Sequence, residues 1–476
     1  MNGGGPERLH ADLRRGAFPE MEKTFHIEVF GCQMNKLDGE VLADALEARG
    51  WRRAADAKDA DAALFFGCSV RAHAEDRLYS HVGRTGRFKA RRPQMLVGLL
   101  GCTARLHRRD LLRRLPVLDL LAGPDALDRV PDALEEMLAG GPRPRTLFER
   151  GTVDFDGMRR PRRAALSAFV RVMRGCDHAC SYCVVPRVRG RARSRPPGAV
   201  LADARALAAA GVRELILIGQ DVSAYEHDGL RLSDLLRAVL AETEGGGVVR
   251  IGFVTGHPAS MGRDLFEVMA SDERMSRYLH MPAQSGSDRV LRLMRRGYTA
   301  AEYATLVDEA RETVPELEVA GDFIVGFPGE TEEDFAASVE LVRRCGFINS
   351  FIFRYSERPG TTAARNMPDS VPRHVKARRN SALLEAQAEV SLVRKRGLLG
   401  RVVRVLVEGP DRKGGRLMGR TWNNHIVVFD GEADAGEVVR VRVEEVSPLT
   451  AFGRRVAPAA GRDADAAGSI SGRGRR

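Results

Sequence analysis

Phe169-Val170-Arg171-Val172-Met173-Arg174 runs directly into Gly175-Cys176-Asp177-His178-Ala179-Cys180-Ser181-Tyr182-Cys183. An apolar strand-like segment delivers the chain into a loop with three cysteines spaced C-x-x-x-C-x-x-C. Three thiolates on so short a loop can wrap three irons of a 4Fe-4S cube. No fourth cysteine lies nearby, which leaves one iron for a ligand from outside. A zinc site and three buried thiols are the alternatives. Structural zinc takes four protein ligands, and His178 sits poorly inside the loop for that role.

Strand and helix patterns alternate outward from the loop. Candidate strands are Phe169–Arg174, Glu214–Ile218, Val249–Phe253, Tyr278–Met281, Leu317–Val325 and Ser350–Phe353. Helical spacing fills the gaps at Val200–Ala210, Leu230–Glu242, Asp288–Met294, Ala300–Val314 and Thr331–Arg344. This alternation predicts a parallel sheet or barrel. Six strands are too few to close an eight-stranded barrel, so an open, partial (β/α)6 barrel is expected. Ligands of such sheets bind at the carboxyl ends of the strands. Gly219-Gln220-Asp221, Gln284-Ser285-Gly286 and Gly326-Phe327-Pro328-Gly329-Glu330 stand at those ends. Each segment could also be an ordinary strand-to-helix turn with capping residues.

A second α/β pattern precedes the loop. Phe25–Phe30, Ala62–Phe66 and Met95–Leu100 are apolar runs that end in Gly31-Cys32, Gly67-Cys68 and Gly101-Cys102. At the carboxyl ends of the strands of a parallel sheet these three thiols can converge from distant parts of the chain. Three small buried hydrophobes would be the plainer reading. Breaker-rich Gly140–Arg145 and Arg159–Arg163 read as a linker. Beyond Arg396, Arg401–Val407, His425–Phe429 and Val438–Val443 are β-type runs separated by glycine turns, which predicts a small β-barrel.

The expected organisation is therefore a flexible tail at 1–22, an α/β cluster domain at 23–139 and a linker at 140–161. A barrel core at 162–394, a β-barrel at 397–458 and a disordered tail at 459–476 complete it. The chain has 476 residues, too many for one ordinary core. With 43% apolar and 29% charged residues it has a globular composition. Its formal charge of +11 points to a polyanionic partner such as nucleic acid. No apolar run has the length of a membrane span, roughly 18 residues. The first 22 residues lack an apolar secretory core, so a cytoplasmic location is expected. Seven cysteines in a reducing compartment favour metal or catalysis over disulfides. Cys345, at a helix end, reads as a buried small hydrophobe. His73, His81 and His107 have no ligand spacing and carry no assigned role.

The cysteine loop, with Tyr182 before its third cysteine, resembles the radical S-adenosylmethionine superfamily. The whole chain from about residue 23 to 458 resembles the methylthiotransferases, which add a TRAM module. Within them it resembles the tRNA 2-methylthio-N6-dimethylallyladenosine synthases. The carrying segments are Phe30–Asn35, Met173–Pro186, Arg189-Gly190-Arg191, Ser194-Arg195-Pro196, Gln284–Ser287, Met294–Thr299 and Leu417–Thr421. Departures are Phe66-Gly67 before Cys68, where Asn-Thr is usual, Gly256 before His257, where Ser is usual, and Ala283, where a larger apolar residue is usual.

The resemblance implies two 4Fe-4S clusters, one on Cys176, Cys180 and Cys183 and one on Cys32, Cys68 and Cys102. It implies S-adenosylmethionine on the first, with Tyr182, Gln220, Asp221, Gln284 and Ser285 as contacts. It implies that an N6-isopentenylated adenosine at position 37, beside the anticodon, gains a methylthio group at C2. Two S-adenosylmethionine molecules, a sulfur source and an electron donor would be used, and no side-chain general base. The tRNA anticodon stem-loop is the implied partner, and a monomer is expected. Arg187, Arg189, Arg191, Arg193, Arg195, Arg401, Arg404, Arg440 and Arg442 are candidate phosphate contacts. Trp422 and His425 are candidates for stacking or for packing. The alternatives are a ribosomal-protein or threonylcarbamoyl-adenosine acceptor, or a non-catalytic RNA-binding metalloprotein.

Overall fold

The computed structural model describes residues 22–70, 72–149, 165–412 and 414–457. The expected tails before Glu22 and beyond Ala457, and the arginine run at 159–163, lie outside the described residues. The chain divides into two compact units, with the division between Arg160 and Pro161.

The first unit is a parallel six-stranded sheet in the order β2-β1-β3-β4-β5-β6. Its strands are β1 (Thr24–Val29), β2 (Arg52–Arg53), β3 (Ala62–Gly67), β4 (Leu96–Gly101), β5 (Leu120–Ala122) and β6 (Arg145–Leu147). Its helices are α1 (Gln33–Glu47), α2 (Ala72–Arg91), α3 (Cys102–His107), α4 (Asp110–Arg114) and α5 (Val130–Leu138). β3 and β4 are central and buried along their whole length, which is why they read as unbroken apolar runs. On one face Phe65, Val97 and Leu99 pack with Leu78 and Val82 of α2. One expectation is corrected here. The segment from 140 is not all linker, because Arg145–Leu147 pairs in parallel with β5 as the edge strand.

The second unit begins with β7 (Ser167–Arg171), β8 (Met173–Arg174), α6 (Val185–Arg189), β9 (Arg193–Ser194), α7 (Pro197–Ala209) and β10 (Glu214–Ile218). The short β11 (Glu226–His227) and β12 (Leu230–Arg231) precede α8 (Leu232–Glu242), β13 (Arg250–Val254), α9 (Arg263–Ser271) and β14 (Tyr278–His280). Then come α10 (Asp288–Met294), α11 (Ala300–Thr313), β15 (Glu318–Val325), α12 (Glu332–Cys345), β16 (Asn349–Arg354), α13 (Thr362–Asn366) and α14 (Arg373–Arg396). Strands β7, β10 and β13 form one parallel sheet and β14, β15 and β16 another. A parallel bridge between Ile251 and Met275 joins them into a six-stranded arc. This is the expected partial barrel. The first predicted strand is split, and β8 leaves the sheet to pair with β9 in a hairpin under the cysteine loop.

Local chemistry sets the helix starts. Thr299 with Glu302 and Thr331 with Asp334 form reciprocal caps on α11 and α12, and the Ser287 hydroxyl caps α10. Cys345 ends α12 with no exposed surface, as a small core residue.

The last element is a closed antiparallel-rich barrel of β17 (Val402–Pro410), β18 (Leu417–Arg420), β19 (Ile426–Asp430), β20 (Val438–Val446) and β21 (Thr450–Val456). Alternate residues Val405, Val407, Val427, Phe429, Val439, Val441 and Val443 fill it. Its loop at 421–425 sits on the amino-terminal ends of the core strands. Arg250 Nη1 donates to the carbonyls of Arg420 and Thr421, and the amide of Arg277 donates to Trp422 O. The Arg404 and Arg250 guanidiniums lie 4.5 and 5.6 Å from the Trp422 ring centre. Trp422 and His425 are both buried at this junction, so packing is their observed role. The cysteine loop is at the opposite, carboxyl end of the arc.

Candidate active site

The loop bearing Cys176, Cys180 and Cys183 is held from several directions. Cys176 N donates to Gly190 O, and Gly175 N donates to the Gln220 side-chain carbonyl at 2.6 Å. Gly175 has φ +78°, and a Cβ there would lie 2.0 Å from Arg191 O. Only glycine fits, because the β8–β9 hairpin passes directly against the loop's entry. On the far side Ser181 Oγ donates to Leu293 O and Ser181 N to Met294 O. The loop is thus tied to the end of α10.

His178 is held by residues that follow β10 and β13. Its Nε2 lies 2.6 Å from Asp221 Oδ2, and its ring stacks on His257 with centres 3.8 Å apart. Asp221 is buried and also accepts from Ser223 Oγ and the His257 amide. Burial opposes its ionisation, but the His178 and Ser223 hydrogen bonds outweigh burial and hold the carboxyl below its usual range. Burial, with Arg296 and His178 nearby, pushes the His257 imidazole down to about 3, so it stays neutral. Among the described residues its buried Nε2 has no hydrogen-bond partner.

A guanidinium stands beside the thiols. Arg296 is only 6% exposed, and its Nη1 lies 3.4 Å from Cys180 Sγ. Burial alone would weaken its charge, but Tyr182, Tyr298 and Cys180 outweigh burial and hold it protonated. Burial pushes the free thiols of Cys176 and Cys183 up to about 11 and about 12. These thiols ionise there only when a positive centre offsets desolvation, which suits ligation to iron. Among the described residues no three His, Cys, Asp or Glu side chains close on one metal-ion position. A cube does not require that closure, since each thiolate takes a separate iron.

The remaining residues singled out in the sequence divide. Tyr182 packs edge-on against Phe327, with ring centres 6.5 Å apart. Gln284 has φ +73°, and its amide donates to Asp322 O. Ser285 Oγ is 3.3 Å from Ser338 Oγ and accepts from Ser287 N, so its hydroxyl is engaged within the turn. Among the arginines, Arg189 is buried, and Arg195 bonds Asp203 and Arg171 O. Arg401 and Arg404 pair with Glu316 and Glu273. Arg191 remains largely exposed beside Asp177. Arg296 and His257 had no role in the sequence reading. Their segments were visible, but nothing in their spacing points at the cysteines.

In the first unit the three Gly-Cys strand ends meet. Cys32 starts α1, Cys68 follows β3, and Cys102 is the first residue of α3. A hydrogen bond with Cys32, burial and the nearness of Cys32 and Cys102 push the Cys68 thiol well above its ordinary value. Gly31 has φ +142°, and a Cβ there would fall 2.4 Å from Cys68 Cβ. His81 and His107 are instead occupied by Glu28 and Glu75, while the His73 side chain lies outside the described residues.

Three segments of the chain match known protein families. Residues 170–342 match the radical SAM superfamily, 24–123 match uncharacterized protein family UPF0004, and 396–456 match the TRAM domain. A tRNA-2-methylthio-N(6)-dimethylallyladenosine synthase of Rhodopirellula baltica is 40% identical, over 91% of this chain and 96% of its own length. A protein of the same name from Chlorobium limicola is 40% identical, over 92% of this chain and 98% of its own. The chain belongs to this synthase family. The fold has a distant solved likeness as well. A radical S-adenosylmethionine methyltransferase from Kitasatospora setae, with cobalamin and a [4Fe-4S] cluster bound, aligns with TM-score 0.53 at 15% identity, covering 72% of this chain and 77% of that one. Membership places the cysteine loop in a radical SAM core. Among the described residues no helix is long and apolar enough to cross a membrane.

Proposed function

We propose that the chain is a tRNA methylthiotransferase that converts N6-isopentenyladenosine at position 37 to its 2-methylthio derivative. The observation that carries this reading is the gathering of Cys176, Cys180 and Cys183 on one half-buried loop at the carboxyl mouth of the arc, in a chain 40% identical to named synthases over 91% of its length. Cys176, Cys180 and Cys183 would hold one 4Fe-4S cluster, and Cys32, Cys68 and Cys102 a second. When bound, such a cluster with S-adenosylmethionine supplies the one-electron chemistry needed at a C2–H bond that acid–base groups do not activate.

The chain's own residues supply position. Gly175 lets the β8–β9 hairpin press against the loop and fixes where Cys176 sits. The Asp221–His178 pair ties the same loop to the end of β10. Gln220 and Asp221 follow β10, Gln284 follows β14 and Tyr182 lies on the cysteine loop; these are the proposed S-adenosylmethionine contacts, with Ser285 supporting the turn that carries Gln284. Exposed Arg191 suits phosphate, and the target base has to leave its stack to reach the mouth. The domain limits proposed are 23–147, which takes in the edge strand β6, then 162–394 and 397–458. The enzyme is proposed to act as a cytoplasmic monomer, with a separate electron donor and sulfur source.

The test is nucleoside mass spectrometry after anaerobic incubation with S-adenosylmethionine, reductant, sulfide and tRNA. Isopentenylated tRNA is expected to yield the 2-methylthio nucleoside. A product only on threonylcarbamoyl-adenosine tRNA or on ribosomal protein would overturn the assignment.

A further inference from the structure

Arg296 is a buried cation that makes no ion pair with a carboxylate among the described residues. Each of its three guanidinium nitrogens donates: Nη1 to Cys180 Sγ at 3.4 Å, Nε to Tyr298 OH at 2.9 Å and Nη2 to Pro282 O at 3.0 Å. Tyr298 passes the restraint on, donating to Ala283 O. The side chain is therefore locked and reaches the thiol as the end of a fixed network. A buried guanidinium needs a nearby negative charge. Here its hydrogen-bond partners are a tyrosine hydroxyl, a carbonyl and a cysteine sulfur, none of them a carboxylate, and Cys183 and His257 also feel its field.

We propose that Arg296 is a positioning residue that sets the reduction potential of the cluster on Cys176, Cys180 and Cys183. This rests on the reading of those thiols as cluster ligands. The guanidinium takes the countercharge it lacks from the thiolate-ligated group. Its attraction grows when that group gains one electron from an external low-potential one-electron donor, with no bond made or broken. Hydrogen bonds to sulfur and local net charge both control such potentials. A fixed cation therefore raises the potential and makes reduction easier.

The experiment uses the full chain carrying Cys32→Ala, Cys68→Ala and Cys102→Ala, so that one cluster reports. Iron content and an anaerobic dithionite redox titration followed by electron paramagnetic resonance are compared for Arg296, Arg296→Gln and Arg296→Lys. Loss of the charge in Arg296→Gln is expected to disfavour reduction at least tenfold, which is about 59 mV more negative for a one-electron couple. Arg296→Lys is expected to recover most of that shift. An unmoved midpoint in a Gln variant that keeps its iron would overturn the proposal. If the Gln variant loses its iron, the Lys variant decides. A retained cluster near the parent's potential supports the charge role, and a lost cluster overturns it. Absence of iron in the parent itself would instead refute the ligand assignment on which the proposal rests.

Discussion

Replacing Gly175 by alanine tests whether the hairpin packing positions the cysteine loop. Two costs add. The residue has φ +78°, a left-handed conformation that costs an L side chain about 1–2 kcal/mol. The new Cβ would also meet Arg191 O at 2.0 Å, Arg191 C at 2.5 Å and Gly190 O at 2.7 Å, all backbone atoms. No rotamer change relieves that overlap, so the hairpin or the loop has to shift, for about 1–3 kcal/mol more. The total is about 2–5 kcal/mol. Gly211, which follows α7 with φ +86° and nothing within 4 Å of its Cβ position, is the control. Gly211→Ala carries only the backbone cost of about 1–2 kcal/mol. Urea unfolding followed by circular dichroism gives both losses. Anaerobic iron content shows whether Cys176 has moved. The reasoning expects Gly175→Ala to be the more destabilised and to lose iron that Gly211→Ala keeps. Equal stabilities with full iron in both variants would refute it.

Three further outcomes are expected. Burial pushes the Lys395 ammonium down from 10.5 to about 8. Between those values the unfolded chain holds a proton that the folded chain releases, so stability rises as pH goes from about 8 to 10.5 and has no slope from this group below 8. Lys395→Met should flatten that rise in the urea midpoint. Trp422→Ala removes a buried ring in contact with two guanidiniums and should cost about 3–5 kcal/mol, read as faster limited proteolysis between the core and the barrel, with Trp422→Phe much milder. Gly31→Ala, whose Cβ would fall 2.4 Å from Cys68 Cβ, should lose about half of the iron while leaving the radical-site share intact, as visible absorbance would show.

What the sequence revealed follows from how local each signal is. The loop at Cys176 and the three Gly-Cys strand ends were legible because spacing and a preceding apolar run suffice to mark them. The arc was legible for the same reason, since a central strand such as Glu214–Ile218, with Leu215, Leu217 and Ile218 buried and Ile216 half-buried, reads as apolar. β2, β5 and β6 were missed. They have two or three residues each, and β6 lies among proline and arginine, stabilised by pairing with β5 rather than by its own composition. Arg296 was hidden among many arginines, because only the fold brings it to Cys180. The arginines read as one basic surface proved to be divided. Arg189 and Arg195 support the core, while Arg191 faces solvent.

The central claim is that the chain holds two separate clusters, one on each set of three cysteines. Iron and sulfide content after anaerobic reconstitution tests it most directly, comparing the parent with Cys176→Ala/Cys180→Ala/Cys183→Ala. About eight irons falling to about four is the predicted result. About four irons in the parent, lost entirely in the triple variant, would mean that Cys32, Cys68 and Cys102 hold no cluster and would contradict the account.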